Sequence, residues 1–145
     1  MEYAIGSQSA RGTIDLTPVS KTAVWTGRVL SAVPVLFLLV DGAMKLPNLP
    51  GVVEASAQLG VPANVLPGIG VTLLVCTVLY IVPRTAALGA VLLTGYLGGA
   101  IATQVRVGGP LFNDIFPLIL AALLWGGLFL RDARLRVFLP WRRGE

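Results

Sequence analysis

Seven residues of this chain could do chemistry: Asp41, Lys45, Glu54, Asn64, Gln104, Arg106 and Asp114. Asp41 and Asp114 can give or take a proton, and Lys45 or Arg106 can steady negative charge developing nearby. The planar fork of Arg106 also suits a carboxylate, a phosphate or a polarised oxygen. Asp41 follows twelve uncharged residues and falls near a C-terminal helix end, where the helix dipole disfavours an anion. Lys45 stands one turn later and could pair with it. Asp41 therefore has two readings. One is a salt bridge that closes a helix at an interface; the other is a partly buried acid or ligand anchor, since ionisable groups within membrane spans are functional by default. Asn64-x-x-Pro67 and Asp114-x-x-Pro117 also read as helix N-caps with proline in the first turn. Gln104 can bridge helices as readily as touch a ligand. All seven are candidate ligand-binding residues, and Asp41, Asp114, Arg106 and Lys45 are the catalytic candidates.

What is missing limits the chemistry further. The 145 residues include no histidine and one cysteine, Cys76. A single thiol forms no internal disulfide and no CxxC redox pair, and Cys76 reads as core packing. Without histidine, imidazole-bound haem and the usual zinc and non-haem iron sites are excluded, as is histidine general-base catalysis. No metal site and no haem or zinc cofactor is expected; a quinone remains open.

The elements that must position these residues are apolar. The chain is 55% hydrophobic and only 12% charged, with a mean hydropathy of +0.81. Soluble domains carry roughly 25% charged residues, so lipid is the expected solvent. Four stretches have the length of membrane spans, for which about 20 residues are needed: 24–44, 64–82, 85–105 and 114–130. Pro34 lies inside the first and predicts a kink there. Pro83-Arg84 separates the second and third and predicts a tight antiparallel hairpin. Between the first two spans, VVEASAQL puts Val52, Ala55 and Leu59 on one helical face and Glu54 and Gln58 on another, which predicts a short interfacial helix. Residues 1–20 read as a flexible cytoplasmic tail, 21–131 as the four-span domain and 132–145 as a basic cytoplasmic tail. The fold class is all-α: an integral membrane four-helix bundle.

Nine lysines and arginines fall on one side of these spans, and only Lys45 and Arg106 on the other. That asymmetry predicts both termini in the cytoplasm. All seven candidate residues then lie toward the outer side. The net charge of +4 and pI near 9.8 do not indicate nucleic-acid binding, because the basic residues gather beside apolar spans. Gly95-x-x-x-Gly99, Gly98-x-x-x-Ala102 and Ala122-x-x-x-Gly126 are small-residue spacings that allow helices to approach closely. They predict either packing inside the bundle or a homodimer.

The stretches VDGAMKL (40–46), VVEASAQLG (52–60), LYIVPRTAALGAVLLTGYLGGAIATQVRVG (79–108) and LLWGGLFLRDARLR (123–136) resemble the DoxX-like family of small bacterial membrane proteins. The resemblance covers most of residues 24–140. It implies a four-helix bundle in the bacterial inner membrane, and some relatives occur with respiratory or thiol-linked redox systems. A membrane redox complex is the partner this implies.

Three functions fit these residues. The first is an accessory or ligand-binding membrane subunit that holds a small quinone-like or lipid-like molecule beneath the outer polar cluster, linked to a redox system. The second is a membrane-embedded enzyme doing acid/base chemistry on a hydrophobic substrate. The third is a small transporter, against which stands the lack of any charge near mid-membrane or any convincing repeat.

Overall fold

A computed structural model describes residues 18–138, with side chains placed through residue 135. The tail read at 1–20 lies outside the described residues up to position 17, and the basic tail lies outside them beyond 138. The described residues contain no strand and form six α-helices: α1 (Lys21–Lys45), α2 (Pro50–Gln58), α3 (Leu66–Ile81), α4 (Ala86–Val107), α5 (Leu111–Arg131) and α6 (Ala133–Phe138). Four of them, counting the 3-10 turn Ala63–Val65 with α3, are long and apolar enough to cross a membrane.

Local sequence explains where each begins and stops. The Ser20 hydroxyl accepts the Ala23 amide at 3.2 Å and caps α1, which continues unbroken through Pro34. Pro47 ends it, and Leu49 is extended ahead of Pro50, the first residue of α2. Helices α2 and α4 finish alike. Gly60 (φ 74°) and Gly108 (φ 68°) take the left-handed conformation, and the residue after each donates back to a carbonyl five residues earlier. Val82 is extended before Pro83, and the Thr85 hydroxyl donates to the Leu79 carbonyl at 2.8 Å, closing the α3–α4 hairpin.

Two capping expectations are corrected. Asn64 sits within the 3-10 turn, and α3 has no side-chain cap. Asp114 caps nothing, because α5 starts three residues earlier, at Leu111. Left-handed Gly108 and extended Pro110 complete the α4–α5 turn before Asp114 is reached, so Pro117 lies inside the helix.

The long helices form a closed ring in which α1 packs on α3 and α5, and α4 packs on the same two. Their shared core runs through Leu38, Leu73, Tyr80, Leu93, Leu97, Leu124 and Leu128. Large apolar side chains such as Val29, Leu36, Val91 and Leu118 face outward on the ring. Such an apolar exterior suits lipid, where each helix satisfies its own backbone hydrogen bonds.

Of the two small-residue expectations for α4, packing of that face inside the bundle is corrected. A Cβ on Gly95, Gly98 or Gly99 would meet nothing within 4 Å, and Gly98 and Ala102 are exposed. Helices meet closely elsewhere. A Cβ on Gly127 (α5) would lie 2.1 Å from Ser31 Oγ (α1), and one on Gly70 (α3) would lie 2.8 Å from the Gly42 carbonyl (α1). Spacing alone marks a helix that could approach a neighbour, not the face that does.

Candidate ligand-binding cavity

The two ends of the ring differ. At one, Tyr80 is fully buried: its hydroxyl donates to the Leu124 carbonyl at 2.6 Å and lies 2.9 Å from Ser31 Oγ. The Arg131 guanidinium sits 4.8 Å over the Tyr80 ring and donates to its carbonyl at 3.2 Å. These contacts tie α1, α3 and α5 together. At the other end the helices border a broad, open cavity of about 1070 Å³. Its walls come from the C-terminal halves of α1 and α4, the start of α3 and the N-terminal half of α5, with α2 laid across them.

The cavity is mostly apolar and partly aromatic. Phe37 and Phe116 meet edge to face with centroids 4.9 Å apart, and Phe112 stacks on Phe116 at 6.0 Å. Val52, Ala55 and Leu59 at α2 line the cavity and Glu54 and Gln58 do not, as the spacing predicts. Gly95 and Gly99 lie on the wall, and their missing side chains leave room for a guest. Small residues here make volume rather than helix contacts.

Several polar groups open onto this space. Lys45 Nζ donates to Asp41 Oδ2, joining the two as an ion pair. The Lys45 side chain is 15% exposed and that of Asp41 35%, so the pair is neither freely solvated nor sealed. Gln104, Asn113, Tyr96 and Ser56 also line the cavity, and none of their side chains makes a hydrogen bond among the described residues. Ligand sites combine these features: an apolar hollow with a few polar groups that orient the guest.

The sequence model of the DoxX-like family matches residues 29–127, from α1 through most of α5. The chain belongs to the DoxX-like family. No curated protein and no solved structure matches it. It is a multi-pass membrane protein, and the family match covers every wall of the cavity.

In this DoxX-like protein the seven candidate residues separate. Asp41, Lys45 and Gln104 come together on the cavity wall, whereas Glu54 and Asn64 lie exposed outside it. Arg106 is exposed and donates to the Leu59 carbonyl at 3.1 Å, fastening the end of α2 to the end of α4. Asp114 is half-buried and does not line the cavity, and its Oδ1 is buried without a hydrogen-bond partner among the described residues. No group of three or more potential metal-ligating residues occurs among the described residues. Tyr96, Asn113 and Ser56 escape a reading centred on charge. The polar tip of Tyr96 amid the apolar third span was the available signal.

Proposed function

We propose that this DoxX-like protein is a ligand-binding subunit of the bacterial inner membrane that holds one small hydrophobic molecule, quinone-like or lipid-like, in the cavity. The observation that carries the reading is an apolar hollow of ligand size into which unpartnered side chains of Gln104, Asn113, Tyr96 and Ser56 open beside the Asp41–Lys45 pair. A ring or chain fits the aromatic wall, and a carbonyl or hydroxyl head meets the donors and acceptors. Both termini lie in the cytoplasm, as the distribution of lysine and arginine supports. Helix α2 then lies along the outer interface as the roof, held by Arg106. A membrane redox complex is the partner that would supply or use a quinone-like guest.

The test is mild detergent extraction followed by mass spectrometry of the bound small molecules. Wild-type protein carries a discrete apolar compound, and Gly99→Phe, which fills the hollow from its wall, loses it while keeping its helical content. A hollow that is empty in every preparation refutes the reading.

A further inference from the structure

The opposite end of the ring holds a second, smaller hollow of about 350 Å³. Three separated stretches bring four arginines to it: Arg28 from α1, Arg84 from the α3–α4 turn, and Arg131 and Arg134 from the end of α5 and the start of α6. Among the described residues the only acidic one lining it is Asp132, whose Oδ1 accepts the Arg134 backbone amide at 2.9 Å. Four guanidinium groups therefore share one hollow with a single carboxylate. Its floor is apolar and includes the buried Leu128.

The arginines are prepared to different degrees. Arg131 is oriented by its bond to the Tyr80 carbonyl and by the Tyr80 ring. Arg28 stands 6.0 Å from the centroid of the Trp25 ring. The side chains of Arg84 and Arg134 make no hydrogen bond or ion pair among the described residues. Like charges gathered at the edge of a low-dielectric bundle repel unless an anion joins them. Guanidinium forks match phosphate oxygens two at a time, and the volume lies within the range of small-molecule sites. A general bias of positive charge toward one side of the membrane asks only that arginines lie near helix ends. It does not ask that three separated stretches line one hollow with an apolar floor.

We infer that this hollow binds the phosphate of an anionic phospholipid headgroup. The phosphate sits among Arg28, Arg84, Arg131 and Arg134, and the glycerol and upper acyl carbons lie against the apolar floor. A lipid so held bridges α1, the hairpin and α5, and fastens the end of the bundle away from the cavity. The inference is independent of any guest at the other end.

Native mass spectrometry of the full chain in detergent, titrated with phosphatidylglycerol or phosphatidylcholine, tests it. Wild-type protein retains phosphatidylglycerol at least tenfold more tightly than phosphatidylcholine. Arg84→Gln and Arg134→Gln each weaken that retention several-fold, and the double variant abolishes the preference. Lys21→Gln removes a positive charge at the same end but outside the hollow, and leaves retention unchanged. Inorganic phosphate at millimolar concentration separates the sources: failure to displace the lipid shows that glycerol and acyl contacts are part of the site. Displacement shows that the site takes free phosphate, and overturns the lipid assignment while keeping the phosphate chemistry. Equal retention of the two lipids, or equal weakening by Lys21→Gln and Arg84→Gln, overturns the inference altogether. Circular dichroism of each variant confirms that the helices persist.

Discussion

Gly127 of α5 lies so close to Ser31 of α1 that a Cβ at position 127 would stand 2.1 Å from the Ser31 hydroxyl oxygen and 2.8 Å from the Gly27 carbonyl. Backbone meets backbone here: the Gly27 carbonyl and the Ser31 amide nitrogen, 3.0 Å from that Cβ, belong to the α1 helix and cannot shift without it. Gly127→Ala must push α1 and α5 apart, and overpacking of this kind costs about 1–3 kcal/mol. Gly98→Ala is the control, because a methyl there meets nothing within 4 Å. Thermal unfolding in one detergent should show a clear loss for Gly127→Ala. Gly98→Ala should match wild type or exceed it by the better helix propensity of alanine.

Tyr80 makes the second prediction. Its hydroxyl satisfies itself on the Leu124 carbonyl and lies 2.9 Å from Ser31, in a place with no solvent exposure. Tyr80→Phe removes both contacts and little volume, and should destabilise the bundle by about 0.5–1.5 kcal/mol. Hydrogen bonds between membrane helices average about 0.6 kcal/mol in double-mutant cycles. A cycle of Tyr80→Phe with Ser31→Ala should return a coupling near that average. A coupling of zero would show that Tyr80 acts through the Leu124 carbonyl alone.

The sequence reveals the skeleton because lipid imposes one rule over long stretches. Runs of uncharged residues such as 61–83 must be helices, and Pro83-Arg84 can only be a hairpin turn. The four-residue spacing of Asp41 and Lys45 likewise anticipates their ion pair. Glycine function was much less legible. Gly95-x-x-x-Gly99 carries the spacing of a helix contact and forms part of a cavity wall, whereas Gly27, Gly42, Gly70, Gly89 and Gly127 make the close approaches. Whether a neighbour stands opposite a small residue depends on the rotation of each helix, and apolar faces all round give little information about that rotation. The start of α5 was hidden for another reason: Gly108 and Pro110 complete the turn sooner than the polar Asn113-Asp114 pair suggests.

The roof over the cavity depends on one guanidinium. Arg106 donates to the Leu59 carbonyl at the end of α2, a helix with no fully buried residue of its own. Arg106→Gln should release that end while the ring stays intact. An interaction worth about 1 kcal/mol corresponds to roughly fivefold faster local opening. Hydrogen exchange followed by mass spectrometry should show faster exchange confined to peptides covering 50–61, with α3, α4 and α5 unchanged. Uniform acceleration across the chain would mean that Arg106 supports the whole bundle.

The Asp41–Lys45 pair separates a helix-closing role from a ligand-holding one. An i,i+4 pair at a helix end contributes about 0.3–0.5 kcal/mol, so Asp41→Asn should leave the melting temperature of the ligand-free protein nearly unchanged. A hydrogen bond from a charged group to a bound head is worth about 1.5–3 kcal/mol, and about 1.4 kcal/mol is a factor of ten in affinity. If the cavity holds an apolar molecule as proposed, its retention should therefore fall at least tenfold in Asp41→Asn. Lys45→Met should weaken it comparably, because each partner orients the other toward the cavity. Mass-spectrometric quantification of the molecule retained per chain, read beside the melting curve, checks both numbers. Full retention in both variants would reduce the pair to a helix terminus and leave Gln104, Asn113 and Tyr96 as the polar groups able to orient a guest.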